Sequence, residues 1–522
     1  MSNPGTIRTA ATPADDTSDL ARFGYKQELE RSLGSFSSFA AGFSYISIMT
    51  GVFQLFGFGF GAGGPAFIWT WPIVFIGQGA VALCFAEMAG QFPLAGGVYQ
   101  WSKQIARPVT SWMSGWIMTV GAIVTAAAVA VAYQIILPQV SLAFQIVGGA
   151  DDAGVTTTPD GAKNAILLAL GLVVFTTVVN IVGVRLMAKI NNLGVAVELI
   201  GVALLIVMLA VHIKRGPQVV LHTAGTGAGH SAGYLGAFLV ASIMSAYVFY
   251  GFDTAGSLAE ETREPRRHAP RAILRALTAA FLAGGLLMLV GMMAVGNIDA
   301  EELGTLGMPY LIKSTLGTGL GDAFLVCSAI AITVCCLAVQ TAAIRLLFSM
   351  ARDGRLPFGS SMARVSPRSN TPVLPAVITG ALTIALLLVN IGNQRVFYIL
   401  TSVAIILFYI PYLLVTAPML VRRLRGQWPR EDHGPYFSMG RKGLVVNIVA
   451  VGYGLAMTVN LAWPRAAVYG ADHWYYQWGA IVFTGVISAI GGLLYLRYRR
   501  RGGTQHPVAV EPAADDVLAA EA

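Results

Sequence analysis

Charge is what this sequence has least of. Of its 522 residues only 11% are Asp, Glu, Lys or Arg, while 55% are hydrophobic and the mean hydropathy is +0.66. A soluble domain carries about a quarter charged residues, so an ordinary water-soluble fold is excluded and the bilayer becomes the solvent. Cysteine is scarce too: Cys84, Cys327, Cys335 and Cys336 all lie in apolar runs, without CxxC or Cys/His spacing. They read as small packing residues. No histidine lies deep inside an apolar run, since His212, His222, His230, His268, His433, His473 and His506 fall in loops, tails or helix ends. No haem, zinc or other cofactor is therefore expected. A membrane enzyme would need a catalytic cluster at one depth, and none is visible. The N-terminus also lacks the basic, apolar and small-residue succession of a signal peptide.

What the chain does have is apolar runs of bilayer length. A span needs about 20 apolar residues. Twelve candidates follow, at 36–58, 67–90, 97–138, 164–184, 191–213, 234–258, 271–296, 321–350, 373–391, 396–421, 444–463 and 475–497. The net charge of +8 does not indicate nucleic acid, because the basic residues sit in short segments between spans. With the N-terminus placed inside, 28 of the 34 Lys and Arg residues fall on the inner side, and Lys163, Lys214, Arg215, Lys313, Arg395 and Arg465 make up the outer 6. That bias predicts twelve spans with both termini cytoplasmic. Trp69, Trp71, Trp463, Trp474 and Trp478 fall where an outer aromatic belt would lie. The inner arginines, Arg263, Arg266, Arg267, Arg271 and Arg275 after the sixth span and Arg352, Arg355, Arg364 and Arg368 after the eighth, read as topology signals and lipid headgroup contacts.

Two spans carry helix breakers at matching places. The first holds SYISIMTGVF (Ser44 to Phe53) and a glycine-rich exit, GFGFGAGG; the sixth holds FYGFDTAGS (Phe249 to Ser257). Asp253 puts a carboxylate at membrane depth, which costs roughly 3 kcal/mol or more and usually marks a binding site or ion path. Each break opens a set of five spans, and because five is odd the two sets cross the membrane in opposite senses. That is the plan of an inverted-repeat transporter with discontinuous helices. It divides the chain into a cytoplasmic tail (1–35), a first repeat (36–213), a second repeat (214–421), two further helices (422–500) and a second cytoplasmic tail (501–522). An unwound helix offers free N–H groups to an anion and free carbonyls to a cation, so a zwitterion can use both. The alternative for Gly51 and Gly251 is close helix packing.

The segment GFDTAGSLAEETREPRRHAPRAI (Gly251 to Ile273) resembles the helix 6 signature of the amino acid, polyamine and organocation (APC) superfamily of permeases. FAEMAGQFPLAGGVYQW (Phe85 to Trp101), VGVRLMAKINNLGVAVE (Val182 to Glu198) and AVQTAAIRLLFSMARDGRLP (Ala338 to Pro357) are similar to further family stretches. FSYISIMTGVF and GGPAFIWTWPIVF look most like the amino acid/choline transporter branch. The resemblance spans about residues 30–460. It implies an all-α membrane protein of twelve transmembrane helices in a five-plus-five inverted repeat with two additional helices, and gradient-coupled transport of amino acids or amines. Thr50 and Gly51 match the helix 1 substrate-binding break, Tyr250, Gly251, Phe252 and Asp253 match the helix 6 break, and Tyr247 matches a gating aromatic. Met49 departs from the pattern, standing where many relatives carry glycine.

Glu198 lies within the fifth span, where some relatives carry a lysine that stands in for sodium. It can carry the coupled proton, pair with a cationic substrate, or bond a neighbouring helix. Asp253 can handle substrate or proton, or hold the broken helix open. Glu87 and Glu260 read as structural partners of inner-face arginines. Phe53, Tyr247, Phe249 and Phe252 can line a pocket for an aliphatic chain or an ammonium.

The leading expectation is a plasma-membrane proton symporter, with sodium as the other candidate ion, importing a small amino acid such as gamma-aminobutyrate. Choline, ethanolamine and polyamines come second as substrates. Rival classes are a non-transporting amino acid sensor of the same fold and a channel.

Overall fold

The computed structural model describes residues 20–230, 232–392, 395–429, 434–465 and 474–500. The two tails before residue 20 and after residue 500, with His433, His473 and His506, lie outside the described residues. The helices in chain order are α1 (Ser35–Ile46), α2 (Ile48–Gly63), α3 (Thr70–Gln91), α4 (Gly97–Ile105), α5 (Pro108–Val131), α6 (Tyr133–Val140), α7 (Pro159–Val182), α8 (Val184–Ala210) and α9 (Tyr234–Val248). They continue with α10 (Thr254–Ser257), α11 (Pro265–Ala294), α12 (Glu302–Thr305), α13 (Met308–Leu316), α14 (Thr318–Arg352), α15 (Val373–Val389), α16 (Val396–Leu424), α17 (Gly443–Ala462) and α18 (Gly479–Arg500). Among the described residues there is no β-strand, and ten helical stretches are long and apolar enough to cross a bilayer. The shorter apolar helices α9 and α15 bring the set to the expected twelve.

The third span differs from its expected extent. Residues 97–138 divide into α4, α5 and α6, because Ala106 is extended (φ −121°, ψ 175°) and Pro108 restarts the helix at its first turn. A residue near proline is pushed out of the helical region, while proline itself is well placed at a helix start. Trp71 also departs from the belt reading. It is buried, and its indole N–H donates to the Phe281 carbonyl at 2.9 Å. Trp69, Trp463, Trp474 and Trp478 are exposed, as an interfacial belt requires.

The broken stretch sits at the centre. Of the most apolar window of Ser35–Gly63, 94% is buried inside the protein, against 11% for α18. Around it α2 packs on α9, α1 and α3 on α11, and α14 on α5 and α8, while α16 packs on α5 and α17. The lipid-facing α18 is held by two indoles of α5: Trp112 and Trp116 donate to the carbonyls of Gly491 and Ile487, each at 2.8 Å.

The N-terminal end of the bundle is closed by paired charges. Glu260 takes a bidentate pair from Arg352 (2.7 and 2.9 Å) and the Ala95 N–H, and Glu87 is held by Arg423, Trp428, Ser438 and the Met439 N–H. Both acids therefore have the basic partners expected of them. Arg352, read from sequence as a topology charge, is one of those partners. Segment 20–34 crosses this end: Leu33 pairs with the backbone of Glu261 and Arg263, and Tyr25 donates to Asp353 at 2.7 Å. Asp353 also binds Lys103 at 2.7 Å, and burial together with Asp353 pushes the Tyr25 phenol far above its usual range.

Candidate functional site

The first helix breaks at Ser47, whose backbone (φ 35°, ψ 104°) leaves the helical region between α1 and α2. This is three residues before Thr50. Thr50 and Gly51 thus lie in the first turn of α2, where the Gly51 N–H already closes onto the Ser47 carbonyl at 2.9 Å. The Ser47 hydroxyl caps that turn, accepting from the Thr50 N–H at 3.2 Å and lying 2.6 Å from the Thr50 hydroxyl. Gly51 is pressed against Val248 so closely that a Cβ would stand 2.7 Å from a Val248 methyl. The glycine is a packing residue of the α2–α9 crossing as well as a member of the break.

Glu198 of α8 reaches this point. One carboxylate oxygen accepts from the Ser47 hydroxyl and the Met49 N–H, both at 3.0 Å, while the other oxygen has no partner, although the residue is fully buried. A carboxylate against a helix N-terminus is favourable because the helix dipole and the free N–H groups both meet it. The Met49 sulfur packs toward Gly201 of α8, where an added Cβ would stand 3.6 Å from it, an ordinary contact. From α14, Ser328 donates to the Met49 carbonyl at 3.2 Å and Cys335 to the Tyr45 carbonyl at 3.4 Å.

The sixth span breaks between Val248 and Thr254, where the sequence placed it. Gly251 has φ +90°, a conformation L side chains rarely adopt, and any Cβ there would overlap the Tyr45 ring. Tyr412 of α16 holds the break: its hydroxyl accepts from the Gly251 N–H at 2.9 Å and donates to Asp253 Oδ1 at 2.5 Å. Asp253 is buried. Phe252 packs between Phe85 and Tyr412, and Phe249 lies on Trp71 at 4.2 Å between ring centroids, so both point into helix packing and away from a pocket.

The residues brought together at the two breaks are thus Ser47, Thr50, Gly51, Glu198, Tyr247, Tyr250, Gly251 and Asp253, joined by Tyr45, Phe408 and Tyr412. The last three, and Ser47, were missed from sequence. Nothing in the apolar run around Phe408 and Tyr412 distinguishes them from packing aromatics. Arg345, fully buried and paired with Glu261 at 2.7 Å, was also passed over, although an arginine inside AVQTAAIRLLF is a signal that intramembrane cost alone could have raised.

Access lies at the end opposite the ion pairs. A cavity of about 430 Å³ is lined by Gly57, Phe58, Gly61, Thr226, His230 and Tyr398, and it adjoins a smaller one of about 50 Å³ that reaches Gln54 and Phe53. Together they follow α2 down to one helical turn from Thr50. Glycines allow a close approach beside this path: Gly57 of α2 and Gly307 meet backbone to backbone, and a Cβ on Gly307 would lie 2.9 Å from the Gly57 nitrogen.

These features agree with the similarity of the chain to known proteins. The amino acid permease family model matches residues 33–487, from just before α1 into α18. The chain is 28% identical over 470 residues to amino-acid permease BAT1 of Arabidopsis thaliana, covering 86% of this chain and 88% of that one. It is 26% identical over 476 residues to amino-acid permease 2 of Neurospora crassa, covering 88% and 83%. Against the branched-chain amino acid permease BcaP of Bacillus subtilis it is 26% identical over 411 residues, covering 74% and 83%. With a match that runs through both breaks and nearly every span, the chain belongs to the amino acid permease family.

Proposed function

We propose that this permease is a secondary active proton symporter that imports a small amino acid such as gamma-aminobutyrate across the plasma membrane by alternating access, with both termini cytoplasmic. The substrate lies between the breaks, against Thr50 and Gly51 on one side and Tyr250, Gly251 and Asp253 on the other, with Tyr247 as the gate; the Phe252 side chain, packed between Phe85 and Tyr412, takes no part. The repeats 36–213 and 214–421 supply the two halves that rock. On this reading the ion-paired N-terminal end is the closed inner gate, and the cavity along α2 is the open outer path.

The observation that carries the coupling is Glu198. Its carboxylate fastens the break of the first helix through one oxygen and leaves the other without a partner. Protonation weakens the bonds from Ser47 and the Met49 N–H, because a neutral carboxyl is a poorer acceptor, and so frees α1 to move. Loading a proton is thereby tied to the motion that exposes the substrate.

The test is uptake of labelled gamma-aminobutyrate into proteoliposomes under an inward proton gradient, with a sodium gradient in parallel. Glu198→Gln should abolish gradient-driven accumulation while sparing exchange. Accumulation like that of the native protein would remove Glu198 from the coupling step, and accumulation driven by sodium alone would replace the ion.

A further inference from the structure

Four aromatic rings meet beside the breaks. Tyr45 ends α1, Tyr247 ends α9, Tyr250 lies in the sixth-span break and Phe408 comes from α16. Ring centroids are 6.0 Å apart for Tyr45 and Tyr250, 5.7 Å for Tyr45 and Phe408, 4.6 Å for Tyr250 and Phe408, and 5.6 Å for Tyr247 and Tyr250. Two of these residues are chemically unfinished. The Tyr250 hydroxyl bonds Thr125 at 3.1 Å, but the hydroxyls of Tyr45 and Tyr247 have no hydrogen-bond partner, although the residues are only 4% and 6% exposed. The Thr125 hydroxyl already donates to the Gly121 carbonyl, so it can only accept from Tyr45 and leaves the lone pairs of the Tyr45 hydroxyl unmet. A buried hydroxyl without a partner is costly, and native proteins keep few of them.

The charges around the box choose its ligand. Three of the N–H groups that could hold a carboxylate are already engaged: Met49 N–H by Glu198, Thr50 N–H by Ser47 and Gly251 N–H by Tyr412. When ionised, the acids at the breaks, Glu198 and Asp253, repel an anion and attract a cation. Aromatic faces attract cations as well. A tyrosine hydroxyl can accept from an ammonium N–H while the ring face meets the charge.

We infer that the box of Tyr45, Tyr247, Tyr250 and Phe408 is the receptor for the substrate's ammonium group, with the Tyr45 and Tyr247 hydroxyls accepting from its N–H bonds, so that the amine and not the carboxylate is the recognised end. This rests on the reading that the breaks form the substrate site. It extends that reading by making amines without a carboxylate ligands of the same site.

The test measures binding to purified, detergent-solubilised full-length protein, with four probes besides gamma-aminobutyrate. Butylamine and putrescine keep the ammonium without the carboxylate, butyrate keeps the carboxylate without the ammonium, and choline keeps the positive charge without any N–H. Butylamine and putrescine should compete with gamma-aminobutyrate and butyrate should not. Tyr45→Phe and Tyr247→Phe should each weaken gamma-aminobutyrate and butylamine about tenfold, the size of one hydrogen bond to a charged group. Choline should be unaffected by either variant and weakened by Phe408→Leu. The ligand-free melting temperature of both Phe variants should stay level or rise, since each loses an unpartnered hydroxyl; a marked fall would assign the hydroxyls to folding and overturn the inference. Competition by butyrate but not by butylamine, with gamma-aminobutyrate still bound, would overturn the inference while leaving the permease reading intact. Saturable binding of none of the five would overturn both.

Discussion

The two broken helices solve one problem in opposite ways. At the first, the backbone leaves the helix at a serine and the acid arrives from outside, Glu198 of α8, bonded through one oxygen and free at the other. At the sixth, the acid belongs to the break itself, and a phenol arrives from outside: Tyr412 grips both Asp253 and the Gly251 N–H. A visiting acid with a spare oxygen can change its protonation and its bonds without dismantling its own helix. An acid inside the break, held by a short bond to a phenol that is also committed elsewhere, supports the shape of the backbone. The contrast favours a working role for Glu198 and a bracing role for the Asp253–Tyr412 pair.

The most damaging way to probe the sixth-span break is Gly251→Leu. The residue sits at φ +90°, and a Cβ would overlap the Tyr45 ring, so backbone strain of about 1–3 kcal/mol adds to a steric clash that neither partner can relieve cheaply. Complete loss of ligand binding is expected in equilibrium measurements on protein that still elutes as a folded species. Unchanged affinity would remove this break from the site. The next step sharpens the contrast. Tyr412→Phe strips a buried carboxylate of its donor and Gly251 of its acceptor, a loss of about 1.5–3 kcal/mol. Glu198→Gln keeps an amide oxygen to accept from Ser47 and Met49, and should cost less than about 1 kcal/mol of stability. Thermal unfolding of the two variants side by side measures the difference. Equal destabilisation would mean that both acids are struts, and a larger effect at Glu198 would invert the roles.

Much of this arrangement was legible because membrane depth makes rare residues conspicuous. Gly251 and Asp253 inside an apolar run, the repeated break and the alternation of basic loops needed no partner to be noticed. The unreadable part is what other helices bring. Tyr412 lies 159 residues from Asp253 and Tyr45 is 206 residues before Gly251, and in each case an ordinary aromatic in an apolar run is given its role only by packing. The position of the first break was read to within a turn, not to the residue. Thr50 and Gly51 are helical, within the first turn of α2, because Ser47 supplies both the kink and the cap.

Ser47→Ala tests that cap. The backbone kink does not require the hydroxyl, but the Thr50 N–H loses its acceptor and Glu198 loses one of two donors, so a cost of about 1 kcal/mol is expected, in the range for a lost N-cap. Glu198 would remain bound to the Met49 N–H. Thermal unfolding should show a modest drop, and a loss beyond about 2 kcal/mol would show that the serine, rather than the acid, fastens the break.

The smallest effect is expected where the first break is anchored to the surface. Segment 20–34 leads into α1, and Glu30 ties it to Arg185 at the start of α8, the helix that carries Glu198. If that pair were a latch, the first break would be governed from outside the membrane and the contrast with the sixth would be lost. The geometry argues otherwise, since the Arg185 side chain is 78% exposed and water and salt screen the attraction to a few tenths of a kcal/mol. The Arg185 hydrogen bond holds the Glu30 carboxyl below its usual range. A group whose folded-state value is lowered contributes stability that is present above its ordinary value and lost as the pH falls through the lowered one. Glu30→Gln should therefore leave the melting temperature at pH 7 within about a degree of the native protein. The small remaining difference should vanish in high salt and as the pH falls through the lowered Glu30 value. A shift of several degrees at pH 7 would make segment 20–34 a latch on the first break, and Glu198 would then be one of two controls on α1.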